Sequence, residues 1–401
     1  MRLRLASLCL AVMALAPSAI HAQGLVAIQN YSADFRTEQP LTFSIFSNGG
    51  YDRLDYKNSG PGTPAGIDSW FATGGVSLMY TRPDQTTPFS FSLDSSVVHY
   101  IDGVPSFQDT FYNNRATINF EHRFSERLKI SNNFFATYGV EPNNAFGYGG
   151  STTLWNGQYL YGFNNFNINY AWSPRFSTTT SYTIDGIGYE DNLIGNQEDR
   201  YSHLFAQQFA YAISRQTSLT AEYRYRMTVF DKAPNKNFNS HFALAGVDHA
   251  WSERFSGSAR AGAEFYDSDL QSKVSPYAEG ALNYAVARET LVRWFASLGF
   301  NGAELSTFNS RYGVNTGLQV NHNVTKRLSV NAGANYAYSE FDSGGGADGK
   351  EHSIFLSTGL GYNVLENLRL DAQYSFSALQ STSAFREFDR HRVSLGATAS
   401  F

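Results

Sequence analysis

The final segment of the sequence, from Arg390 to Phe401, most constrains the fold because its two faces have opposite chemistry. One face takes apolar residues and the other polar ones: Val393, Leu395, Ala397, Ala399 and Phe401 alternate with Arg392, Ser394, Gly396, Thr398 and Ser400. Strict alternation is the period-two signature of a β-strand with one apolar and one polar face. The segment therefore predicts an amphipathic strand that finishes on an aromatic ring.

The same segment contains a polar-x-Gly-x-x-apolar-x-aromatic pattern, formed by Ser394, Gly396, Ala399 and Phe401. This pattern resembles the sorting signal that bacterial outer-membrane β-barrels present to their assembly machinery. Ala399 departs from the commoner aromatic residue. We expect Ser394, Gly396 and Phe401 to act as an assembly signal, and the alternative is an ordinary amphipathic edge strand.

Residues 1–22 predict a secretory signal peptide. Arg2 and Arg4 precede an apolar run from Leu5 to Ala16, and small residues lead to Ala22. The run is shorter than the roughly 20 residues that span a bilayer as a helix, so we expect cleavage after Ala22. Cys9 is the only cysteine, and the mature chain is therefore expected to have no disulfide.

The composition fits strands that have a single apolar face. Mean hydropathy is -0.33 and apolar residues make up 42% of the sequence, yet aromatic residues reach 15%. In a membrane barrel only every second residue meets lipid, and aromatic rings form girdles at both membrane surfaces. Removal of Arg2 and Arg4 would lower the formal charge from -5 to -7, and nucleic-acid binding, which needs a basic face, is not expected.

A short connector recurs along the chain. It occurs at 124–128, 172–176, 251–255 and 324–328, with looser versions around Arg215, Arg288 and Glu366. Successive copies lie roughly 35 to 48 residues apart, which is the length of two long strands, a turn and a loop. The repeating unit is therefore a β-hairpin, since propeller blades at this period need about four short strands each.

Longer connectors rich in Gly, Asn, Asp and Pro lie between the short turns, at 57–67, 102–109, 141–157, 191–199, 231–239 and 342–350. Short turns at one end and long loops at the other are typical of outer-membrane barrels. We predict a single all-β, antiparallel up-and-down transmembrane β-barrel of about eighteen strands over 41–401, after a short periplasmic segment at 23–40. About sixteen strands remain if the hairpin from Leu41 to Arg82 does not join the wall.

The polar faces of the predicted strands indicate a wet interior with charges of both signs. The candidate lumen or constriction residues are Arg115, Arg123, Glu222, Arg224, Arg226, Arg260, Glu264, Glu279 and Arg293. These residues either narrow the pore for ions and solutes or pair across strands and hold the wall. A second inward set would suit a sliding sugar chain: Tyr159, Tyr161, Phe163, Asn165, Asn167 and Asn169.

Four stretches carry a likeness to a known family: 218–226, 240–249, the turn at 251–255 and Gly262. Across nearly the whole mature chain the sequence resembles the putative β-barrel porin 2 family of outer-membrane barrels. The resemblance implies a porin-like barrel and supplies no substrate or catalytic residues. Some similar barrels accompany exopolysaccharide export systems, which leaves a role in polysaccharide secretion open.

The sequence shows no catalytic, cofactor-binding or metal-binding motif. The eight histidines after His21 are scattered, and none has an HExxH or other metal spacing. The Gly-rich stretch at 342–349 fits neither an EF-hand nor repeated GGxGxD calcium loops. We therefore expect neither enzymatic activity nor a cofactor.

The expected function is passive diffusion of small hydrophilic solutes across the outer membrane of a Gram-negative bacterium. The alternatives are the barrel component of an exopolysaccharide export system and a plugged structural barrel. Expected partners are outer-membrane lipid and lipopolysaccharide, the barrel-assembly machinery, periplasmic chaperones, and the solute or polysaccharide that passes. The loop from Glu141 to Gly157 is the one expected to fold inward and narrow the pore.

Overall fold

A computed structural model describes residues 40–57, 66–103, 109–139, 158–192, 195–196, 199–269, 271–287, 289–302, 310–342, 349–382 and 387–401. Nearly all of them lie in eighteen strands: β1 (Leu41–Tyr56), β2 (Ile67–Arg82), β3 (Phe89–Tyr100), β4 (Thr110–Arg123), β5 (Leu128–Gly139), β6 (Tyr159–Ala171), β7 (Phe176–Tyr189), β8 (Arg200–Ala212), β9 (Thr217–Phe230), β10 (Phe238–Ser252), β11 (Phe255–Ser268), β12 (Ser272–Ala287), β13 (Thr290–Gly302), β14 (Ser310–Asn323), β15 (Leu328–Asp342), β16 (Gly349–Asn363), β17 (Leu368–Ser381) and β18 (Phe388–Ser400). A 3-10 turn, Pro234–Lys236, lies between β9 and β10. Among these residues no helix has the length and apolarity needed to cross a membrane.

The eighteen strands form one closed antiparallel sheet. Each strand pairs with the next along the chain, and β18 pairs with β1. The final residue extends this closing seam, because Phe43 and Phe401 exchange backbone hydrogen bonds of 3.1 and 2.7 Å. The predicted eighteen-stranded barrel is confirmed. The sixteen-strand alternative is wrong, since the first hairpin pairs on both sides with the rest of the wall.

The connectors differ between the two ends of the barrel. One end has short turns at 83–88, 124–127, 172–175, 213–216, 253–254, 288–289, 324–327 and 364–367. The other end has the connectors 57–66, 101–109, 140–158, 190–199, 231–237, 269–271, 303–309, 343–348 and 382–387. The predicted asymmetry is present, although 269–271 is as short as a turn. The expected signal peptide and the candidate inward loop, Glu141–Gly157, lie outside the described residues.

The recurring short turn closes because a hydroxyl side chain accepts backbone N–H groups that the strands leave free. Ser125 Oγ accepts hydrogen bonds from the N–H groups of Arg127 and Leu128 at 3.2 and 3.0 Å. The same pair of bonds forms at Ser173, Ser252 and Thr325. Serine and threonine favour turns for this reason, and a fixed turn sets the register of the hairpin that it joins.

The two faces of the wall differ in every strand. Large apolar side chains are exposed on the outer face, for example Leu395 at 67% and Trp70 at 58%, and this face meets lipid. The inner face carries most of the charged and amide side chains. The strand register places inward residues opposite inward residues around the ring. Arg224, for example, lies opposite Phe242, and Arg260 lies opposite Glu279.

The described lumen wall is apolar in two places where the sequence predicts polar residues, and the smaller one is formed by Phe230, Phe238 and Tyr266 on β9 to β11. A buried cluster lines the inner face near the long-loop end of β17, β18 and β1 to β4: Leu54, Ile67, Phe71, Val98, Tyr100, Phe111, Leu379 and Phe388. These residues occupy inward-facing positions in the alternation of their strands, but each lies close to a strand end. Alternation alone does not distinguish a polar channel lining from apolar packing at its mouth.

Candidate functional site

Five charged side chains of β9 to β12 form one network on the lumen wall. We call it the β9–β12 cluster: Glu222, Arg224, Asp248, Arg260 and Glu279. Arg224 Nε lies 2.6 Å from Glu222 Oε1, and Arg224 Nη2 lies 2.6 Å from Glu279 Oε1. Arg260 Nε lies 3.3 Å from Glu222 Oε2, and Arg260 Nη2 lies 3.3 Å from Asp248 Oδ1. Glu222 is therefore shared by two guanidinium groups, both of which are buried.

A tyrosine hydroxyl completes the β9–β12 cluster. Tyr277 Oη donates a hydrogen bond to Glu279 Oε2 at 2.7 Å, and Arg224 Nη1 donates one to Tyr277 Oη at 3.3 Å. The Arg224 guanidinium also lies 5.8 Å from the centre of the Tyr277 ring. Buried charges are tolerated when they are paired and hydrogen-bonded in this way. The cluster is therefore a fixed part of the wall.

A glycine explains how Arg260 reaches across a strand. Arg260 lies on β11 and Glu222 on β9, so the side chain must pass over β10. Gly246 is the β10 residue directly opposite Arg260, and a Cβ added there would lie 2.6 Å from Arg260 Cγ. The missing side chain gives the guanidinium a path to the second strand.

A second network lies on β18, β1 and β3. We call it the seam cluster: Asp52, Tyr100, Arg390 and Arg392. Arg390 holds Asp52 with two bonds, Nε to Oδ1 at 2.8 Å and Nη2 to Oδ2 at 2.5 Å. Tyr100 Oη donates a hydrogen bond to Asp52 Oδ2 at 2.8 Å, and Asp52 has no exposed surface. Arg392 lies 3.9 Å from the same carboxylate and 4.3 Å from the centre of the Phe71 ring.

The two clusters lie on opposite walls. The ring has eighteen strands, and β1 and β10 are halfway around it from each other. The β9–β12 cluster combines two arginines with three carboxylates, and the seam cluster combines two arginines with one. Charges of both signs thus line the lumen, and most are compensated within their own wall.

The other candidate residues from the sequence also face the lumen, but they do not take part in the ion pairs of these clusters. Arg115 lies opposite Asp94, with its guanidinium 5.1 Å from the centre of the Phe135 ring. Arg226 lies 5.8 Å from the Phe242 ring centre. Four of the nine candidates are therefore brought together: Glu222, Arg224, Arg260 and Glu279. Whether any of the nine forms a constriction stays a prediction.

Three further candidates differ in their exposure. Glu264 is completely buried on β11. Arg123 is exposed near the short-turn end, but it pairs with Glu121 at 3.2 Å. Arg293 is exposed, and no described residue forms an ion pair with it. Arg293 is therefore the candidate best placed to meet a solute.

Every histidine after His21 projects away from the lumen. At the long-loop end, His203, His241, His352 and His391 accept or donate a hydrogen bond through Nδ1 with the hydroxyl of Tyr182, Tyr223, Tyr336 and Tyr374. His99, His122, His249 and His322 pair similarly with threonine hydroxyls. Within the described part of the chain, no group of three or more His, Cys, Asp or Glu side chains is placed to hold a metal ion.

The sequence alone missed the seam cluster. Asp52 lies in the weakly patterned first strand, and Arg390 is more than three hundred residues away from it in the chain. Only closure of the ring brings β1 and β18 together. Barrel closure was itself predictable, so pairing the first strand with the last would have suggested partners for Asp52.

Three solved outer-membrane proteins have a similar chain path. OccAB4 of Acinetobacter baumannii is 12% identical, with 91% of this chain and 99% of that chain covered at a TM-score of 0.45. OccK8 (OprE) of Pseudomonas aeruginosa is 10% identical, with 90% and 98% covered at 0.44. OpdK of Pseudomonas aeruginosa, crystallised with vanillate, is 10% identical, with 90% and 99% covered at 0.46. No curated protein sequence matches this chain significantly.

A match to a family model identifies the family of this chain. Residues 174–401 match the model of the putative beta-barrel porin 2 family. The matched region covers more than half of the chain and includes strands β7 to β18, with both the β9–β12 cluster and the arginines of the seam cluster. The chain therefore belongs to the putative beta-barrel porin 2 family and is a porin-like β-barrel of the bacterial outer membrane.

Proposed function

We propose that this barrel conducts small hydrophilic solutes by passive diffusion through an aqueous lumen. The observation that carries the proposal is that strands all around the ring place charged, amide and hydroxyl side chains on the inner face. Barrels of about 16 to 18 strands leave an aqueous channel after their inward side chains are placed. Charges paired within the wall leave room for water and small solutes in the centre.

Weak ion selectivity follows from the same arrangement. The inward charges of both clusters are mostly paired, and paired opposite charges have little field beyond the Debye length, about 8 Å at physiological ionic strength. Unpaired inward charges such as Arg293 then have the largest influence on a passing ion. The channel should therefore pass cations and anions with only a modest preference.

The eight histidines do not line the proposed channel. A general acid or base must lie within hydrogen-bond reach of its substrate. Because each described histidine is on the membrane side of the wall, a solute in the lumen meets no imidazole.

Polysaccharide export is less well supported by the inward face of β6. Tyr159 and Phe163 are buried in the wall, and Asn165 Nδ2 and Asn169 Nδ2 donate hydrogen bonds to Thr183 and Thr179 at 2.7 and 2.9 Å. Groups already bonded within the wall have little capacity left for a sliding sugar chain. Replacement of Tyr159 and Tyr161 by Ala tests this alternative: lost polysaccharide secretion with unchanged solute uptake would favour export.

Planar-bilayer recording tests the diffusion proposal. The purified protein should give stable conductance steps with a small reversal potential in a salt gradient. Arg293→Glu should shift the reversal potential towards cation preference, because it reverses an exposed lumen charge without breaking an ion pair. Thr358→Val, on the lipid face, is the matched control and should leave the reversal potential unchanged. Absence of any conductance would contradict the proposal and indicate a plugged barrel.

We further propose that residues 1–22 are removed on export, that 23–40 is a periplasmic lead-in, and that the barrel-assembly machinery, with periplasmic chaperones, inserts 41–401. Lipopolysaccharide would then surround the long-loop end of the barrel. The expected mature terminus is Gln23, which N-terminal sequencing of the outer-membrane form would check. A mature protein that still begins at Met1 would contradict the signal-peptide prediction.

A further inference from the structure

Among the described residues, side-chain amides on the lipid-facing side of the wall are concentrated in one arc. Four outward side-chain amides lie between apolar neighbours, and we call them the amide belt: Asn114 on β4, Asn132 on β5, Asn164 on β6 and Gln207 on β8. Gln207, for example, lies between the outward rings of Phe205 and Phe209, which are 51% and 45% exposed. On the remaining described strands, outward Asn and Gln side chains occur only at Asn239 and Gln380, second from the loop ends of β10 and β17.

Gln207 has partners for both its polar atoms, since Oε1 accepts from Thr180 Oγ1 at 2.7 Å and Nε2 donates to the Gln208 carbonyl at 3.3 Å. The hydrogen bonds within the wall satisfy the three asparagines only in part. Asn132 Nδ2 donates to Asn164 Oδ1 at 2.9 Å, and Ser95 Oγ donates to Asn114 Oδ1 at 2.7 Å. Each amide also has two N–H donors, and the Nδ2 groups of Asn114 and Asn164 have no partner among the residues described. Acyl chains cannot accept these hydrogen bonds, so exposure of the amides to lipid costs free energy.

Outward hydroxyls elsewhere on the wall differ in this respect. Thr316 Oγ1 donates to the carbonyl of Phe295 at 2.9 Å, and Thr358 Oγ1 donates to the carbonyl of Asn331 at 3.3 Å. These polar groups are satisfied within the barrel itself. Asn114 and Asn164, which lie well inside their strands, are not satisfied in this way.

A row of small residues lies beside the amide belt. Ala116, Ala136, Gly162 and Gly186 lie directly opposite one another across β4 to β7. A Cβ added at Gly162 would meet no other atom within 4 Å, so the outer surface is open there. Small side chains let another protein wall approach closely within a membrane.

We propose that the outward face of β3 to β8 is the contact surface for a second copy of this chain. Side-chain amides both donate and accept hydrogen bonds, so the amide belt of one copy is complementary to that of another. The surface is a continuous arc of six neighbouring strands, which is a third of the ring and broad enough for two walls to lie side by side. Contact would satisfy the free Nδ2 groups and cover the open strip at Gly162.

Subunit counting in lipid tests the proposal. The full chain, fluorescently labelled and reconstituted in liposomes, should bleach in two or more steps per particle over a range of protein-to-lipid ratios. The double variant Asn132→Leu, Asn164→Leu should associate about threefold more weakly for each intermolecular hydrogen bond that it loses, the fold-change that corresponds to roughly 0.6 kcal/mol for such bonds in membranes. Thr316→Val with Thr358→Val, on the far side of the ring, should associate like the unchanged chain.

Two results would overturn the proposal: single-step bleaching of the unchanged chain at every ratio, or unchanged association of the Asn132 and Asn164 double variant. Monomers that retain a tightly bound lipid at the amide belt would identify lipid as the occupant instead and also overturn it. Heat-modifiable migration in detergent gels shows whether each variant has folded. Conductance is measured separately, so failure of this proposal leaves the diffusion proposal untouched.

Discussion

At the scale of single residues, a glycine controls the contact between an aromatic ring and a lumen arginine. Gly50 lies directly opposite Phe71 across β1 and β2. A Cβ at Gly50 would lie 2.1 Å from the Val393 carbonyl oxygen and 2.7 Å from Phe71 Cζ. The Phe71 ring thus covers the glycine on one side and receives Arg392 on the other, with the guanidinium 4.3 Å from its centre.

We therefore predict that Gly50→Ala lowers barrel stability by about 1–3 kcal/mol, the usual cost of overpacking. The Phe71 ring would have to move and would lose its contact with Arg392. Gly74→Ala is the matched control, because a Cβ at Gly74 meets no atom within 4 Å. The temperature at which folded migration is lost in detergent gels measures the effect. Equal temperatures for the two variants would contradict the packing role of Gly50.

The sequence predicted which face of the wall each side chain occupies, but it did not predict which side chains contact one another. Period-two alternation identified Arg224, Glu222 and Arg260 as inward residues, and register fixes this for every strand at once. That Arg260 reaches Glu222 depends on Gly246 in the intervening strand, a contact between three strands. Alternation carries no information about such contacts. It also did not indicate that the inner face is apolar near the long-loop ends of β1 to β4.

At the scale of strands and turns, the short connectors were predicted well because their chemistry is local. In the four closest copies of the turn, the hydroxyl and the N–H groups that it binds lie within four residues. The histidines show a regularity that was missed, since His203, His241, His352 and His391 are each the fourth residue of a strand that follows a long loop. Counting positions from predicted strand starts would have revealed an outer girdle of histidine and tyrosine.

The turn hydroxyls lead to a prediction at this scale. Ser173→Ala removes the acceptor for the N–H groups of Arg175 and Phe176, bonded at 3.3 and 3.1 Å, and should destabilise the β6–β7 hairpin by about 1 kcal/mol. Ser173→Thr keeps the acceptor and should be nearly neutral. Urea unfolding in detergent micelles, followed by tryptophan fluorescence, compares the two. Equal losses in the free energy of unfolding for the two variants would show that the hydroxyl does not set the stability of this turn.

At the scale of the whole molecule, the closing seam joins β1 and β18, the first and last strands of the barrel. Its ladder runs from Ser44 opposite Ser400 to Tyr56 opposite Phe388, and backbone bonds between Phe43 and Phe401 extend it by one residue. Side chains reinforce it: Ser44 Oγ and Ser400 Oγ lie 2.9 Å apart, and Lys57 Nζ lies 3.1 Å from Asp389 Oδ2. Closure removes the sheet edges, which a membrane does not tolerate.

Deletion of Phe401 should reduce the amount of assembled barrel in the outer membrane. The deletion removes both the two backbone bonds to Phe43 and the aromatic residue of the expected assembly signal. Phe401→Tyr keeps the backbone bonds and an aromatic ring and should assemble normally. Quantitative blots of heat-modifiable protein in outer-membrane fractions measure the difference. Normal levels of the deletion variant would contradict the role of Phe401 in assembly.

The ion pair at the seam should contribute more to closure than any exposed pair on the same strand. Asp52 is fully buried and held by Arg390 across the two terminal strands, and Asp52→Asn leaves two arginines without their carboxylate. Loss of one partner from a buried pair costs about 3–5 kcal/mol. Arg53 is the next residue and faces outward, where it pairs with Asp55 at 2.7 Å with both side chains more than half exposed, so Arg53→Gln should cost less than about 1 kcal/mol. Urea unfolding of both variants measures the two losses in the free energy of unfolding. Similar losses would mean that the inward seam pair does not hold the barrel closed.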